Sequence, residues 1–193
     1  MKYYLISDRR LYKQALPEIA RQAEAAGLDF FQLREKDLPV RELLSIAKNI
    51  RSVLNRTKFI VNGSLEVALA SDADGVHLQS QNIPVETVRL KYRTLIIGYS
   101  AHNYEEMKDA ADQGASYLFI SPVFQLKSKN LEAAPLGTMI VSSWANSMKV
   151  PVFALGGITD ANQNELIEAG CRNIAGISLF IQDGMFTAKG LVS

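Results

Sequence analysis

Residues 150–158, VPVFALGGI, indicate a buried parallel strand that leads directly into a glycine pair. A helix is expected to begin near Thr159 and Asp160. Residues 171–180, CRNIAGISLF, repeat this form, and their strand also ends at a glycine. Such turns expose backbone N–H groups, which can bind an anion such as phosphate. The predicted phosphate site consists of Gly156, Gly157, Gly176, Ile177 and Ser178. Alternatively, the glycines only form tight turns.

The same succession of helix, turn and strand recurs along the chain. It appears in EAAGLDFFQLR, LASDADGVHLQ, DQGASYLFISP and EAGCRNIAGIS. With further strands near residues 2–7, 58–61, 95–99 and 150–155, eight strands alternate with helical segments. This alternation predicts one (β/α)8 TIM barrel domain over residues 1–193 rather than an open doubly wound sheet. The helix after the eighth strand is nearly missing, which predicts a thin wall at that point.

Composition favours a protein that binds a small molecule. The 21 basic and 20 acidic residues are spread along the chain, so no nucleic acid and no membrane is predicted as a partner. One cysteine, Cys171, allows no intramolecular disulfide and fits a reducing compartment. Without a signal peptide or an apolar run of transmembrane length, a soluble, cytoplasmic protein is expected. The thin wall would expose apolar surface, which predicts a homo-oligomer.

The second strand ends in the motif QLREK, at the end of a barrel where functional side chains lie. The guanidinium of Arg34 suits phosphate oxygens, Lys36 adds a positive charge, and Gln32 can hydrogen-bond the edge of a heterocycle. The alternative is a solvated charge cluster in which these cations pair with Glu35 and Asp37.

Other strand ends carry neutral hydrogen-bonding groups. His77 is predicted to be a packed histidine with a hydrogen bond, because it lies within a strand. His102, with Ser100 nearby, is a candidate base, but a histidine in this position can also cap the next helix. Asp8 is the one strand-end acid, and no metal-ligand spacing is recognised. The long connection over residues 121–136 is predicted to close over a bound phosphate through Lys129.

In combination and order, eight stretches resemble the thiamine phosphate synthase and thiazole tautomerase superfamily along essentially the whole chain. They are YYLISDR, FFQLREK, FIVNGSLEVALASDADGVHL, GYSAH, YLFISPVF, KSK, PVFALGGI and AGISLF. The resemblance implies a barrel, a phosphorylated thiazole or pyrimidine as ligand, and a phosphate site at Gly156, Gly157, Gly176 and Ser178.

In this superfamily the synthase condenses a pyrimidine diphosphate with a thiazole phosphate. The resemblance implies that Gln32, Arg34, Lys36, Asn62, Ser100, Ser128 and Lys129 hold the diphosphate and pyrimidine, and Lys129, Ser100 and His102 are the catalytic candidates. Two departures concern magnesium. Gly63 and Asn82 stand where the synthase pattern has aspartates, so no metal ligand is predicted, although Mg²⁺ stays possible. Synthase turnover is therefore expected to be slow.

Three hypotheses stay open at this point. A synthase is favoured by QLREK and Lys129, which form the larger matched set. A thiazole tautomerase with another base, such as His102, is favoured by Asn62-Gly63, but Pro122 occupies the place of the histidine of that branch. The third is a non-catalytic homologue that binds a phosphorylated ligand.

Overall fold

A computed structural model describes residues 1–125, 134–189 and 191. Eight parallel strands pair in chain order, and the eighth pairs with the first to close a barrel. The strands are β1 Lys2–Ile6, β2 Phe30–Leu33, β3 Lys58–Asn62, β4 Gly75–Leu78, β5 Ile96–Ala101, β6 Tyr117–Ile120, β7 Val152–Ala154 and β8 Asn173–Gly176. The predicted (β/α)8 barrel is confirmed.

Helices connect the strands and cover the barrel. They are α1 Leu16–Ala25, α2 Val40–Arg51, α3 Leu65–Ala70, α4 Val85–Lys91, α5 Tyr104–Asp112, α6 Thr138–Ser147 and α7 Gln163–Glu168, and a 3-10 turn at Arg9–Leu11 precedes α1. Helix α2 shows why they pack in this way, since Leu43, Ala47 and Ile50 recur at helical spacing and are its buried residues. None of the described helices has the length and apolar character needed to cross a membrane.

Side chains that alternate along the strands form two separate packed layers. Tyr3 and Leu5 point outward to the helices, whereas Tyr4 and Ile6 point into the lumen. The ring of Tyr4 stacks on Phe30, with centroids 5.0 Å apart, and meets the edges of other aromatic rings. Aromatic rings thus form the floor beneath the carboxyl ends of the strands.

The prediction for the start of α7 was wrong. The helix begins at Gln163, three residues beyond Asp160. The Asn162 side chain accepts a hydrogen bond from Thr159 N–H at 2.8 Å and donates one to the Gly157 carbonyl at 2.9 Å. These bonds hold the backbone in a turn, because short polar side chains compete with helical hydrogen bonding. The glycine pair is therefore not followed directly by a helix N-terminus.

The described residues after β8 cover the wall that was expected to be thin. They form a 3-10 turn at Ser178–Phe180 and a hairpin of β9 Ile181–Gln182 and β10 Met185–Phe186. Phe180 is fully buried and its ring lies edge-on to Tyr3, with centroids 6.3 Å apart. The hairpin is also held by Lys13 N–H, which donates to the Gly184 carbonyl at 2.7 Å. The homo-oligomer stays a prediction, but an exposed wall beside β1 no longer supports it.

Candidate functional site

A cavity of about 400 Å³ opens at the carboxyl ends of the barrel strands. Its lining includes seven residues that were predicted as site residues: Gln32, Arg34, Lys36, Asn62, Ser100, His102 and Ile177. Apolar side chains such as Ile6, Phe119 and Leu155 complete the floor and one wall. The seven predicted residues come from four strand ends, those of β2, β3, β5 and β8, and the barrel brings them together in one pocket that is polar at the rim and apolar below.

Among the described residues that line the cavity, Arg34 and Lys36 are the two permanently charged cations, and none is an acid. Arg34 is half-buried, and within the described chain neither side chain lies within 4.0 Å of a carboxylate. The pKa of Lys36 is lowered by burial and then by the neighbouring charge of Arg34. Two adjacent cations that repel each other would be stabilised by a bound anion.

The acids near the motif are occupied elsewhere, which disfavours the charge-cluster alternative. Glu35 is buried and accepts hydrogen bonds from Ser7 Oγ at 2.7 Å and Arg9 Nη1 at 3.1 Å. Asp37 forms a two-pronged pair with the same Arg9 guanidinium, at 2.7 and 2.8 Å. Asp8 pairs in a similar way with Arg10. Two guanidinium groups thus pair with these three acids. Within the described residues no carboxylate forms an ion pair with Arg34 or Lys36, but the charge of Arg34 contributes to lowering the pKa of Asp8.

Sequence reasoning missed Ser7 and Arg9, and it named Glu35 only as a possible partner of Arg34 and Lys36. Ser7 Oγ also accepts the N–H of Arg34 at 3.0 Å, so this cluster fixes the backbone of the motif between the ends of β1 and β2. The usable signal was alternation, because neighbours along an extended segment point to opposite sides. If Arg34 faces the cavity, Glu35 must face away from it, toward the arginines of the first loop.

The amide groups of Gln32 and Asn62 form a polar corner of the cavity. Gln32 is 1% exposed, and its Nε2 donates to Asn62 Oδ1 at 3.1 Å. The Oε1 atom of Gln32 is buried, and no group of the described residues forms a hydrogen bond with it. An unpaired buried acceptor costs about 1–3 kcal/mol, so this atom is suited to a donor group of a ligand.

Ser100 contacts a histidine, but the histidine is His77 and not His102. Ser100 Oγ lies 2.8 Å from His77 Nε2, and His77 Nδ1 lies 3.0 Å from the hydroxyl of Tyr117. The packed, hydrogen-bonded His77 that the sequence predicted is confirmed. Burial, and secondarily the charge of Arg34, lowers the pKa of His77 to about 3, so its ring is neutral at ordinary pH.

His102 lies on the exposed rim of the cavity. Its backbone N–H donates to Glu106 at 2.8 Å, and Asn103 Oδ1 accepts the N–H of Glu106, so this segment caps α5. No described residue forms a hydrogen bond with the His102 ring. A base oriented by a carboxylate is therefore not assembled here from the described residues.

The glycine pair borders the cavity without lining it. Ideal Cβ atoms would lie 2.9 Å from Pro122 Cα at Gly156 and 2.8 Å from the Phe124 carbonyl oxygen at Gly157, and both glycines have positive φ. Close packing against the loop after β6 therefore requires glycine. Within the described residues, the N–H groups of the two glycines donate to no acceptor. The structure thus agrees with the alternative that the glycines form tight turns. The phosphate site at these glycines stays a prediction.

The other predicted phosphate residues lie close by, at the end of β8. Gly176 is buried in the strand, where a Cβ atom would lie 2.7 Å from Leu179 Cβ, and Ser178 is exposed. Of this group, Ile177 lines the cavity. Ser128 and Lys129 lie outside the described residues, as does half of the connection that was predicted to close over the ligand.

The positions that correspond to the magnesium ligands are adjacent in space but do not fit a magnesium ion. Gly63 has no side chain, and a Cβ atom there would lie 3.7 Å from Asn82 Nδ2. The Asn82 amide is already used, since it accepts Gln79 N–H at 2.8 Å and donates to the Gly63 carbonyl at 3.2 Å. No group of three or more metal-ligating side chains occurs among the described residues. Asn82 thus connects the loops after β3 and β4 with neutral hydrogen bonds.

Fold and site together define a (β/α)8 barrel protein whose carboxyl-end cavity is suited to a small anionic ligand. Comparison with known proteins agrees. The family model described as thiamine monophosphate synthase matches residues 3–180. The chain belongs to the thiamine monophosphate synthase family, whose relatives are proteins of thiamine biosynthesis.

Individual relatives match along nearly their full lengths. A putative thiamine-phosphate synthase 2 of Aquifex aeolicus is 37% identical over 183 residues, which cover 94% of this chain and 98% of that protein. A thiamine-phosphate synthase of Pyrococcus furiosus is 37% identical over 180 residues, covering 92% and 86%. The solved structure of thiamine phosphate pyrophosphorylase from Pyrococcus furiosus aligns with a TM-score of 0.84 at 36% identity, covering 95% of this chain and 89% of that one.

Proposed function

We propose that the protein is a thiamine-phosphate synthase that binds a pyrimidine diphosphate and a thiazole phosphate in the carboxyl-end cavity and joins them. In this reaction the thiazole nitrogen forms a bond to the methylene carbon of the pyrimidine, while the bond from that carbon to the diphosphate oxygen breaks and pyrophosphate leaves. The observation that carries the proposal is the pair of cations, Arg34 and Lys36, which form no ion pair with a described carboxylate and line a cavity with no acid among its described lining residues.

The groups next to the two cations are suited to a heterocyclic ring that lies beside the diphosphate. Arg34 and Lys36 would hold the diphosphate through charge-assisted hydrogen bonds. Gln32 offers an unpaired acceptor to an amino group on the pyrimidine ring, and Phe119 and Ile6 provide an apolar floor for a ring. The thiazole phosphate is assigned to the unpaired amides at Gly156 and Gly157, by analogy with barrel phosphate sites.

Metal dependence should be weak and turnover slow. The developing charge on pyrophosphate would be balanced by Arg34, Lys36 and Lys129, because Gly63 and the hydrogen-bonded Asn82 provide no carboxylate for a cation.

The test measures pyrophosphate binding by calorimetry in EDTA, and thiamine phosphate formation by mass spectrometry. Pyrophosphate should bind in EDTA, and Arg34→Gln should weaken binding roughly 10- to 100-fold, as expected for charge-assisted bonds of about 1.5–3 kcal/mol. Arg41→Gln, the same change at an exposed position of α2, is the control and should leave binding unchanged.

The outcomes separate the remaining hypotheses. Binding with slow condensation supports the proposal. Binding without any thiamine phosphate indicates a non-catalytic homologue, and conversion of a thiazole phosphate to an isomer indicates a tautomerase. Equal pyrophosphate affinities of wild type and Arg34→Gln would show that the cation pair is not the anion site.

A further inference from the structure

A chain of hydrogen bonds runs from the cavity into the barrel lumen. It joins Ser100 Oγ to His77 Nε2 at 2.8 Å, His77 Nδ1 to the Tyr117 hydroxyl at 3.0 Å, and that hydroxyl to the Tyr4 hydroxyl at 2.7 Å. Ser100 and His77 line the cavity, whereas Tyr117 and Tyr4 do not, and His77 and the two tyrosines are at most 2% exposed. The chain therefore has one end at the cavity and one end in the apolar floor.

A count of the hydrogen atoms shows in which direction donation runs along these four hydrogen-bonded side chains. With a neutral imidazole, its four members carry four hydrogens for three hydrogen bonds, so one hydrogen is left over. If it belonged to Tyr4, it would point among Phe30, Phe119 and Phe153, whose rings surround the Tyr4 ring. An unpaired buried hydroxyl is unfavourable.

The arrangement that pairs every buried hydrogen runs outward. Tyr4 donates to Tyr117, Tyr117 donates to His77 Nδ1, and His77 Nε2–H donates to Ser100 Oγ. The hydrogen left over is then on Ser100, at the cavity. Every other arrangement leaves an unpaired hydrogen on a buried group.

We propose that Tyr117 is a positioning residue that holds His77 as the Nε2–H tautomer and so makes Ser100 a hydrogen-bond donor toward the ligand. The ligand atom that faces Ser100 must then be an acceptor, such as a ring nitrogen or a phosphate oxygen. His77 cannot activate Ser100 as a nucleophile, because its Nε2 already carries a hydrogen and its Nδ1 is occupied. This inference deepens the proposed function and rests on it only in assuming that a ligand occupies the cavity.

The tautomer is measured in ligand-free protein by nitrogen-15 NMR of labelled histidine, with two histidines to assign. His77 should carry its hydrogen on Nε2. Tyr117→Phe removes the donor to Nδ1 and should populate the Nδ1–H form. Tyr4→Phe makes the same change at the next member of the hydrogen-bond chain, further from the cavity, and should keep the wild-type tautomer. If the hydrogen bonds of this variant ran inward, from Ser100 to Tyr117, the hydroxyl hydrogen of Tyr117 would be unpaired. An Nδ1–H imidazole in wild type, or equal spectra of the two variants, would overturn the proposal.

A double-mutant cycle tests whether Tyr117 acts through Ser100. The probe is the dissociation constant of the pyrimidine diphosphate. Tyr117→Phe should weaken binding roughly 5- to 10-fold in wild type, about the value of one hydrogen bond, and should have no further effect in Ser100→Ala. Equal losses in both backgrounds would show a merely structural role for Tyr117. Because the NMR measurement needs no ligand, failure of the tautomer assignment is distinguishable from failure of the proposed function.

Discussion

At the scale of single residues, burial decides which groups titrate. His77 is neutral inside the lumen, with its pKa lowered from 6.5 to about 3, first by burial and then by Arg34. In the unfolded chain the same imidazole gains a proton near pH 6.5. The unfolded state therefore binds the additional proton between these two values, and folding stability is lost as the pH falls through this window.

The free energy of unfolding should decrease from pH 6.5 to about pH 5, by up to about 1.4 kcal/mol per pH unit. Urea titrations across this range measure the slope. His77→Gln should be less stable than wild type at neutral pH. Its free energy of unfolding should depend less steeply on pH, because the imidazole that titrates is absent. Ser100→Ala keeps the buried imidazole and should therefore retain the pH dependence of the wild type. A wild-type stability that stays flat over the range would contradict a buried, neutral His77.

The second prediction at this scale concerns the two magnesium positions. Gly63→Asp combined with Asn82→Asp should place two carboxylates side by side, because the Cβ position at Gly63 lies 3.7 Å from Asn82 Nδ2. Their repulsion, with a strain of about 1–2 kcal/mol at a φ of +73°, should destabilise the metal-free protein. Mg²⁺ should restore stability and raise the condensation rate, each tenfold gain corresponding to about 1.4 kcal/mol of barrier. The measurements are thermal unfolding and thiamine phosphate formation, with Mg²⁺ and with EDTA.

A matched control is Gly27→Asp with Asn49→Asp. Gly27 has a similar φ of +79° with open space around it, and Asn49 is exposed on α2. This variant carries the same charge and backbone strain and should not respond to Mg²⁺. Rapid, EDTA-sensitive turnover by wild type would mean that other residues bind the metal.

At the scale of elements, acidic side chains tie loops to neighbouring helices. Glu24 of α1 accepts the backbone N–H groups of Asn55, Arg56 and Thr57, at 3.2, 2.9 and 2.9 Å. Burial alone would raise the pKa of Glu24, but these bonds together lower it to about 2. The carboxylate therefore stabilises the fold above its ordinary pKa of 4.5, and this contribution is lost as the pH falls toward 2.

Glu24→Gln should reduce the free energy of unfolding at neutral pH by about 1.5–3 kcal/mol, because a neutral amide replaces a charged acceptor of three N–H groups. It should also flatten the loss of stability between pH 4.5 and 2. Glu18→Gln is the control, on the same helix, since its side chain is 40% exposed and pairs with Arg21 at the surface. Similar losses for both variants would argue against a specific role for the Glu24 contacts.

At the scale of the whole molecule, the hairpin after β8 closes the barrel wall. Phe180→Ala should cost about 3–5 kcal/mol of unfolding free energy, because a fully buried ring beside Tyr3 is removed. Met185→Ala, on the hairpin that follows Phe180 but 52% exposed, should change stability by less than about 0.5 kcal/mol. Urea denaturation compares the two, and a small effect of Phe180→Ala would show that the segment after β8 contributes little to covering the barrel wall.

The amino-acid sequence by itself determined the architecture and part of the lining of the cavity. Alternation along short apolar strands predicted eight strands, and barrel geometry placed the residues after them at one end. Gln32, Arg34, Asn62 and Ser100 could therefore be assigned to one pocket without coordinates, and all four line it. These patterns are local, because the spacing of apolar residues and the residues that form turns can be recognised within a few positions of the sequence.

The choice of partners was decided only by the tertiary structure. Glu35 pairs with Arg9 and not with its neighbours Arg34 and Lys36, and Ser100 contacts His77, 23 positions away, and not His102. Helix α7 begins later than predicted because the Asn162 side chain bonds to the loop. These outcomes depend on distances between loops that belong to different strands, and a sequence pattern contains no such distances. Which cations stay unpaired, and hence where an anion binds, follows from those distances.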